Sequence, residues 1–281
     1  MRERLPEYLK RPIIDTDKTR TVRKILKANC LNTVCENARC PNKNECYTKH
    51  TATFLIMGGV CTRNCKYCNI SCQKPEPLDV DEPKHIAKAV KDLGLKYAVI
   101  TSVTRDDLPD GGAEHFAKCI EEIRKISPDT KIEILTPDFK GNIESLNTII
   151  KAHPDVFNHN IEAVRGIFKT VRPQGNYDVS LSVLKYIKEN SDIKTKSGLI
   201  IGLGENFEQI KETFVDLYNV GCDILTVGQY IQPSKDHYPV GKYYKPEEYE
   251  ELKKLATSVG IKHSQIGPLV RSSYNAASLM E

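Results

Sequence analysis

Residues 54–68 read Phe54-Leu55-Ile56-Met57-Gly58-Gly59-Val60-Cys61-Thr62-Arg63-Asn64-Cys65-Lys66-Tyr67-Cys68: four apolar residues, a glycine pair, then three cysteines spaced C-x3-C-x2-C. The apolar run has the length of a buried strand, and the glycines end it. In parallel α/β folds, ligands gather just past the carboxyl ends of strands, where this loop falls. Thiolate is the soft ligand that iron–sulfur clusters take, so three cysteines suit three corners of a four-iron cube. One iron would then lack a cysteine and stay open to chemistry.

Five more apolar, strand-like segments follow, at Tyr97–Val103, Lys131–Leu135, Val156–Ile161, Gly198–Leu203 and Ile224–Tyr230. Between them, apolar residues recur at helical spacing: Ile86, Val90 and Leu93; Phe116, Ile120 and Ile123; Phe207, Ile210, Phe214 and Leu217. Asn206 with Gln209 has the capping-box pattern, and Pro246 suits the first turn of a helix that stops near Gly260. Six strand-then-helix units predict an α/β fold with a parallel sheet and helices outside, a partial (β/α)6 barrel of the TIM type. Residues 1–50 are expected as an N-terminal extension, 51–260 as the barrel and 261–281 as a C-terminal segment.

An earlier triad, the first in chain order, is Cys35-x4-Cys40-x5-Cys46, with fourteen residues between Cys46 and Cys61 of the second. Together the triads take six of the ten cysteines. Nothing resembles the apolar stretch of an export signal, so the cysteines point to metal or redox chemistry in a reducing cytoplasm and not to disulfides. No apolar run approaches the length of a membrane span. The 281 residues carry a net charge of +4, with an excess of basic residues near the N-terminus (Arg2, Arg4, Lys10, Arg11, Lys18, Arg20, Arg23, Lys24, Lys27) over Glu3, Glu7, Asp15 and Asp17. Such an arm suits an acidic partner or, equally, a solvated helix face. Nucleic acid is not expected, since tryptophan is absent and basic residues are not interleaved with aromatics.

The C-x3-C-x2-C loop, with Tyr67 before its last cysteine, resembles the signature of radical S-adenosylmethionine (SAM) enzymes. The upstream C-x4-C-x5-C triad narrows the resemblance to the lipoyl synthases, and the likeness runs along nearly the whole chain. Ile100-Thr101-Ser102-Val103-Thr104-Arg105-Asp106-Asp107, Leu135-Thr136-Pro137-Asp138, Phe157-Asn158-His159-Asn160-Ile161-Glu162 and Val171-Arg172-Pro173 look like that family's strand-end motifs. So do Lys196-Ser197-Gly198-Leu199, Gly202-Leu203-Gly204-Glu205, Gly228-Gln229-Tyr230 and, near the C-terminus, Arg271-Ser272-Ser273-Tyr274.

The resemblance implies two 4Fe–4S clusters and SAM. Cys61, Cys65 and Cys68 would hold the cluster that binds SAM, with Tyr67 near its adenine. Cys35, Cys40, Cys46 and a serine, Ser273 in preference to Ser272, would hold an auxiliary cluster. Alkoxide is a harder ligand than thiolate, so that corner should open most readily. Thr101, Asn158, Asn160, Glu162 and Arg172 are expected near SAM. The implied reaction inserts sulfur at C6 and C8 of an octanoyl group carried on a lysine, with the auxiliary cluster as sulfur donor. Implied partners are a lipoyl carrier domain (a dehydrogenase-complex E2 subunit or the glycine-cleavage H protein) and a low-potential electron donor, with the enzyme itself a monomer.

Other readings compete residue by residue. Arg105, Asp106 and Asp107 fit a helix start as well as a ligand role. Ser273 alone would read as a cap or loop residue. Cys119 and Cys222 read as small core residues, Cys30 and Cys72 as bystanders, and His159 as a structural hydrogen-bonding group. At the level of the whole chain, a biotin synthase-like or methylthiotransferase-like enzyme, a two-cluster electron carrier and a zinc module remain as alternatives.

Overall fold

The computed structural model describes residues 4–12 and 15–279, so the expectations for Arg2 and Glu3 lie outside the described residues. The strands are β1 (Asn32–Thr33), β2 (Thr53–Ile56), β3 (Val60–Cys61), β4 (Ser71–Cys72), β5 (Tyr97–Ser102), β6 (Lys131–Leu135), β7 (Val156–Asn158), β8 (Lys194–Ile201), β9 (Ile224–Gln229) and β10 (His263–Gly267). Among the described residues, eight of them form one sheet in the order β1-β2-β5-β6-β7-β8-β9-β10, while β3 and β4 make a small separate ladder. From β2 to β10 every neighbour is parallel, and only β1 runs antiparallel. This is the expected partial barrel, with one parallel strand more than the six anticipated.

Helices α1 (Asp17–Ala28), α2 (Val34–Asn37) and α3 (Lys43–Thr48) precede β2. The crossover helices are α4 (Glu82–Asp92), α5 (Ala113–Ile126), α6 (Ile143–Ala152), α7 (Arg165–Val171), α8 (Tyr177–Asn190), α9 (Phe207–Asn219) and α10 (Pro246–Val259). Local chemistry sets their ends. Asn206 and Gln209 close the capping box of α9, each side chain accepting the other's backbone N–H at 2.9 and 3.0 Å. Gly260, at φ 106°, ends α10 in the left-handed conformation that costs glycine nothing. Phe207 departs from the expected apolar stripe, because as the first residue of α9 it faces solvent.

Alternation along each strand sorts the residues by face. Ile100, Ile132, Ile134, Phe157, Leu225 and Val227 point outward into one core with Ile86, Val90, Phe116, Ile120, Ile123, Phe214 and Leu217 from the helices. Each such side chain contributes about 1.5–3 kcal/mol through burial. Several inward positions are polar: Glu133, Asn158, Lys196 and Thr226 are all buried inside the barrel. That polarity explains two departures from the apolar pattern. Strand β8 begins at Lys194, ahead of its apolar run, because Lys196 is paired inside the barrel with Glu133. Strand β10 opens on His263-Ser264-Gln265, yet it pairs in register with Ile224 to Gly228.

Candidate active site

Two clips hold the loop of the second triad over the ends of β5 and β6. Thr62 donates its backbone N–H (3.0 Å) and its hydroxyl (2.9 Å) to the Thr104 carbonyl. The buried Arg63 guanidinium reaches Asp106 at 2.7 and 2.9 Å and Asp138 at 2.7 Å twice over. Burial disfavours the charge on Arg63, but the two carboxylates more than offset it and keep the guanidinium protonated. On the far flank, Lys66 donates its N–H to the Val171 carbonyl (2.8 Å), and His237 Nε2 donates to the Cys68 carbonyl (3.0 Å). The sulfurs then meet N–H donors: Cys61 Sγ accepts from Arg63 (3.4 Å) and Thr104 (3.3 Å), and Cys68 Sγ accepts from Ile70 (3.5 Å).

The first triad rides on α2 and α3. The Cys40 N–H donates to the Cys35 carbonyl (3.1 Å), and the Cys46 N–H donates to the Asn42 carbonyl (2.9 Å). Two contacts bring the C-terminal segment against it. Asn42 Nδ2 donates to the Leu269 carbonyl at 2.6 Å, and the Tyr274 hydroxyl donates to Glu45 at 2.9 Å. Ser273 lines the same cavity as Cys35, Cys40 and Cys46, a space of about 1130 Å³ that also reaches Tyr67 and Cys68 of the second triad.

Burial pushes the Cys35 thiol up to about 12, Cys46 up to about 11 and Cys68 up to about 12, and neighbouring thiols of each triad add to the effect. Burial raises Cys65 too, against the pull of Arg172. All ten cysteines are free. Among the described residues, no three His, Cys, Asp or Glu side chains are grouped to hold a single ion. A cube of four irons distributes its ligands over several metal atoms, and two triads of free thiols are donor sets that fit it. Iron's positive charge would hold as thiolates what burial otherwise keeps protonated.

Beside the second triad lies a polar pocket with both signs of charge. Glu162 has φ 68°, unusual for a side chain with a Cβ, and is pinned there by its N–H to the Gly198 carbonyl (2.9 Å) and the Ile200 N–H to its own carbonyl (2.8 Å). Burial raises the pKa of the Glu162 carboxyl, opposed by Arg172 and by Asn160, whose Nδ2 donates to it at 3.1 Å. Arg172 is buried, donates from Nη1 to the Asn160 carbonyl (3.2 Å) and leaves Nε without a partner. A carboxylate and a guanidinium with an unfilled donor suit a zwitterionic ligand with hydroxyl groups, as SAM is. Burial, with Glu162 adding, raises the Tyr67 phenol well above its ordinary range.

Not every expected residue reaches this pocket. Thr101 donates its hydroxyl to the Leu135 carbonyl (2.9 Å), and Asn158 donates to Glu133 (3.0 Å); both are committed to the barrel interior and neither lines the cavity. Arg105 pairs with Asp107, and Asp106 with Arg63, so the helix-start role falls instead to Asp110, which accepts the N–H groups of Gly112 and Glu114. His159 makes the structural bond anticipated, to the Thr136 carbonyl at 2.9 Å. Cys119 and Cys222 are buried in the core as expected, while Cys30 and Cys72 are exposed.

Two arginines were not singled out by sequence reasoning. Arg63 sits inside the cysteine loop, and nothing local in the sequence points to its two carboxylate partners. Arg271 stands between the triads, where burial depresses its pKa against the pull of Cys40, Tyr249 and Glu162.

Residues 55–217 match the profile of the Radical SAM superfamily. The fold agrees: a crystal structure of methylornithine synthase superposes with a TM-score of 0.57 at 12% identity, over 87% of this chain and 70% of that one. The chain therefore belongs to the radical SAM superfamily, whose members use a 4Fe–4S cluster and SAM. Lipoyl synthase of Caldicellulosiruptor bescii is 53% identical over 272 residues (96% of this chain, 94% of the relative), and that of Caldicellulosiruptor saccharolyticus is 51% identical over 277 residues (98% and 97%). Within the superfamily the chain is a member of the lipoyl synthases. No helix among the described residues is long and apolar enough to cross a membrane.

Proposed function

We propose that this chain converts an octanoyl group, amide-linked to a lysine of a carrier domain, into the dihydrolipoyl group in the cytoplasm. The observation that carries the reading is the shared cavity of about 1130 Å³, lined by Cys35, Cys40, Cys46 and Ser273 and reaching Tyr67 and Cys68 of the other cysteine loop. When bound, SAM and its cluster supply a radical that removes hydrogen at C6 and then C8, and the auxiliary cluster supplies two sulfur atoms. Two C–H bonds are replaced by two C–S bonds, and the product is a dithiol.

Cys61, Cys65 and Cys68 would hold the cluster that binds SAM, and Cys35, Cys40, Cys46 and Ser273 the auxiliary cluster. The choice of Ser273 is supported by the engagement of Ser272 elsewhere, with its hydroxyl donating to Asn160 at 2.8 Å. Arg172, whose charge acts on Cys65 and Glu162, supplies positive potential for the carboxylate of SAM, and Glu162 with Asn160 offers acceptors to ribose hydroxyls or the ammonium. The apolar walls, among them Val99, Leu135, Leu199 and Ile231, take the acyl chain and exclude water from a reactive carbon centre. Lys10, Arg11, Arg39 and Lys49 line the same cavity and form a basic rim for an acidic carrier domain.

The test is anaerobic incubation with SAM, a strong reductant and an octanoyl-lysyl peptide, followed by mass spectrometry. The expected product gains two sulfur atoms, or two sulfurs less two hydrogens once oxidised to the disulfide, with about two deoxyadenosines per product. SAM cleavage with no sulfur in the peptide would overturn the proposal.

A further inference from the structure

Ser272, the first serine of Arg271-Ser272-Ser273-Tyr274, has a place of its own. Its hydroxyl donates to Asn160 Oδ1 at 2.8 Å, Asn160 Nδ2 donates to Glu162 at 3.1 Å, and Arg172 donates to the Asn160 carbonyl at 3.2 Å. The residue beside the oxygen offered to the auxiliary cluster is thus bonded to the polar pocket beside the other triad.

The barrel wall is shaped to allow this contact. A Cβ on Gly198 would lie 2.6 Å from Asn160 Oδ1 and 2.7 Å from Ser272 Oγ, too close for either to stay. A Cβ on Gly228 would lie 2.0 Å from the Val270 carbonyl oxygen. Two adjacent strands, β8 and β9, therefore carry glycine where the C-terminal segment crosses the barrel mouth. On its other side, Ser273 is followed by Tyr274, anchored to Glu45 next to Cys46. Ser273 hangs between one anchor at the SAM pocket and one at the first triad.

We infer that Ser272 is a positioning residue that couples occupancy of the SAM pocket to the hold of Ser273 on the auxiliary cluster. This rests on the proposed function and deepens it. A ligand that engages Glu162 and Arg172 immobilises the Asn160 amide between them. The amide then fixes Ser272, and through one peptide unit the Ser273 side chain. When the pocket empties, Ser272 loosens and the oxygen ligand is released more readily. One neutral hydrogen bond sustains an effect of roughly three- to tenfold.

The experiment follows iron release to a chelator from anaerobically reconstituted holoenzyme, with and without SAM, alongside hydrogen exchange of the peptide spanning 268–279. Ser273→Ala, which lacks the oxygen, identifies the phase that reports the serine-held iron. In the wild type, SAM slows this phase roughly three- to tenfold and protects the peptide. In Ser272→Ala, SAM still binds but both responses vanish, and Ser272→Thr, which keeps the hydroxyl, restores them. Gly198→Ala crowds the contact apart with both polar side chains intact and gives the same loss. An undiminished SAM response in Ser272→Ala and Gly198→Ala, or none in the wild type, overturns the inference. Failure to load two clusters would instead strike at the proposed function, so the two failures are told apart by iron and sulfide content.

Discussion

Lys196 holds its ammonium 2.9 Å from each carboxylate oxygen of Glu133, with both side chains fully buried. The Tyr97 hydroxyl (2.7 Å) and Asn158 Nδ2 (3.0 Å) donate to the same carboxylate, so the pair is solvated by the barrel itself. Lys196→Met would strand a buried carboxylate with two neutral donors, and a loss of about 3–5 kcal/mol is expected. The double variant Lys196→Met with Glu133→Leu should recover most of it. Denaturant midpoints of the wild type, the two single variants and the double variant, all anaerobic, give the coupling; a double-variant loss equal to the sum of the two single losses would show that the charges do not depend on each other.

The two triads should fail differently. Cys35→Ala is expected to keep cleaving SAM while inserting no sulfur, whereas Cys61→Ala should lose both activities. Deoxyadenosine and thiolated peptide are read in the same reaction; normal product from Cys35→Ala would refute the assignment of the donor cluster.

His159 makes stability depend on pH. Burial, with Arg172 adding, lowers its pKa from 6.5 to about 4. Its Nδ1–H donates to the Thr136 carbonyl, and Nε2 is buried without a partner, so the neutral ring is the folded form. The unfolded chain takes up the proton first. Stability is therefore full above about 6.5 and declines as pH falls toward 4, by roughly 2 kcal/mol between pH 7 and pH 5. His159→Gln should flatten that slope, and an unchanged slope would assign it to other groups.

Glycine at the barrel mouth can be tested by contrast. Gly228→Ala drives a Cβ against backbone at 2.0 Å and should dislodge the C-terminal segment, with loss of iron from the auxiliary site. Gly267→Ala meets only Val270 Cγ2 at 3.4 Å, an ordinary contact, and should load iron like the wild type. Equal iron content in the two variants would contradict this account of the mouth.

The basic rim predicts that affinity for an acidic carrier domain weakens several-fold as ionic strength rises from about 0.05 to 0.3 M. Titration calorimetry with the intact carrier checks it; an affinity indifferent to salt would mean that apolar contacts dominate.

What the sequence revealed and what it hid divide along one physical line. Local chemistry was legible: the Asn206–Gln209 box, the Gly260 stop, the apolar outer faces of β5 and β6, and the spacing of both cysteine triads. Contacts between distant residues were not. The polar opening of β10 and the polar start of β8 obey the sheet and not the hydrophobic pattern, because β10 is set by its register with β9 and β8 by the Lys196–Glu133 pair inside the barrel. Asn158 and Asn160 sit two residues apart in one motif, yet one faces Glu133 in the interior and the other meets Ser272 from 112 residues away. Only the folded sheet distinguishes them.

Thiols held near 11 or 12 by burial bear on how the protein is assembled. A protonated sulfur is a poor nucleophile and a poor target for oxidants, so these three thiols are chemically quiet until iron takes them. Each sulfur that accepts iron must shed its proton to the medium. Maturation is therefore an acid-producing event, favoured as the surroundings become more alkaline.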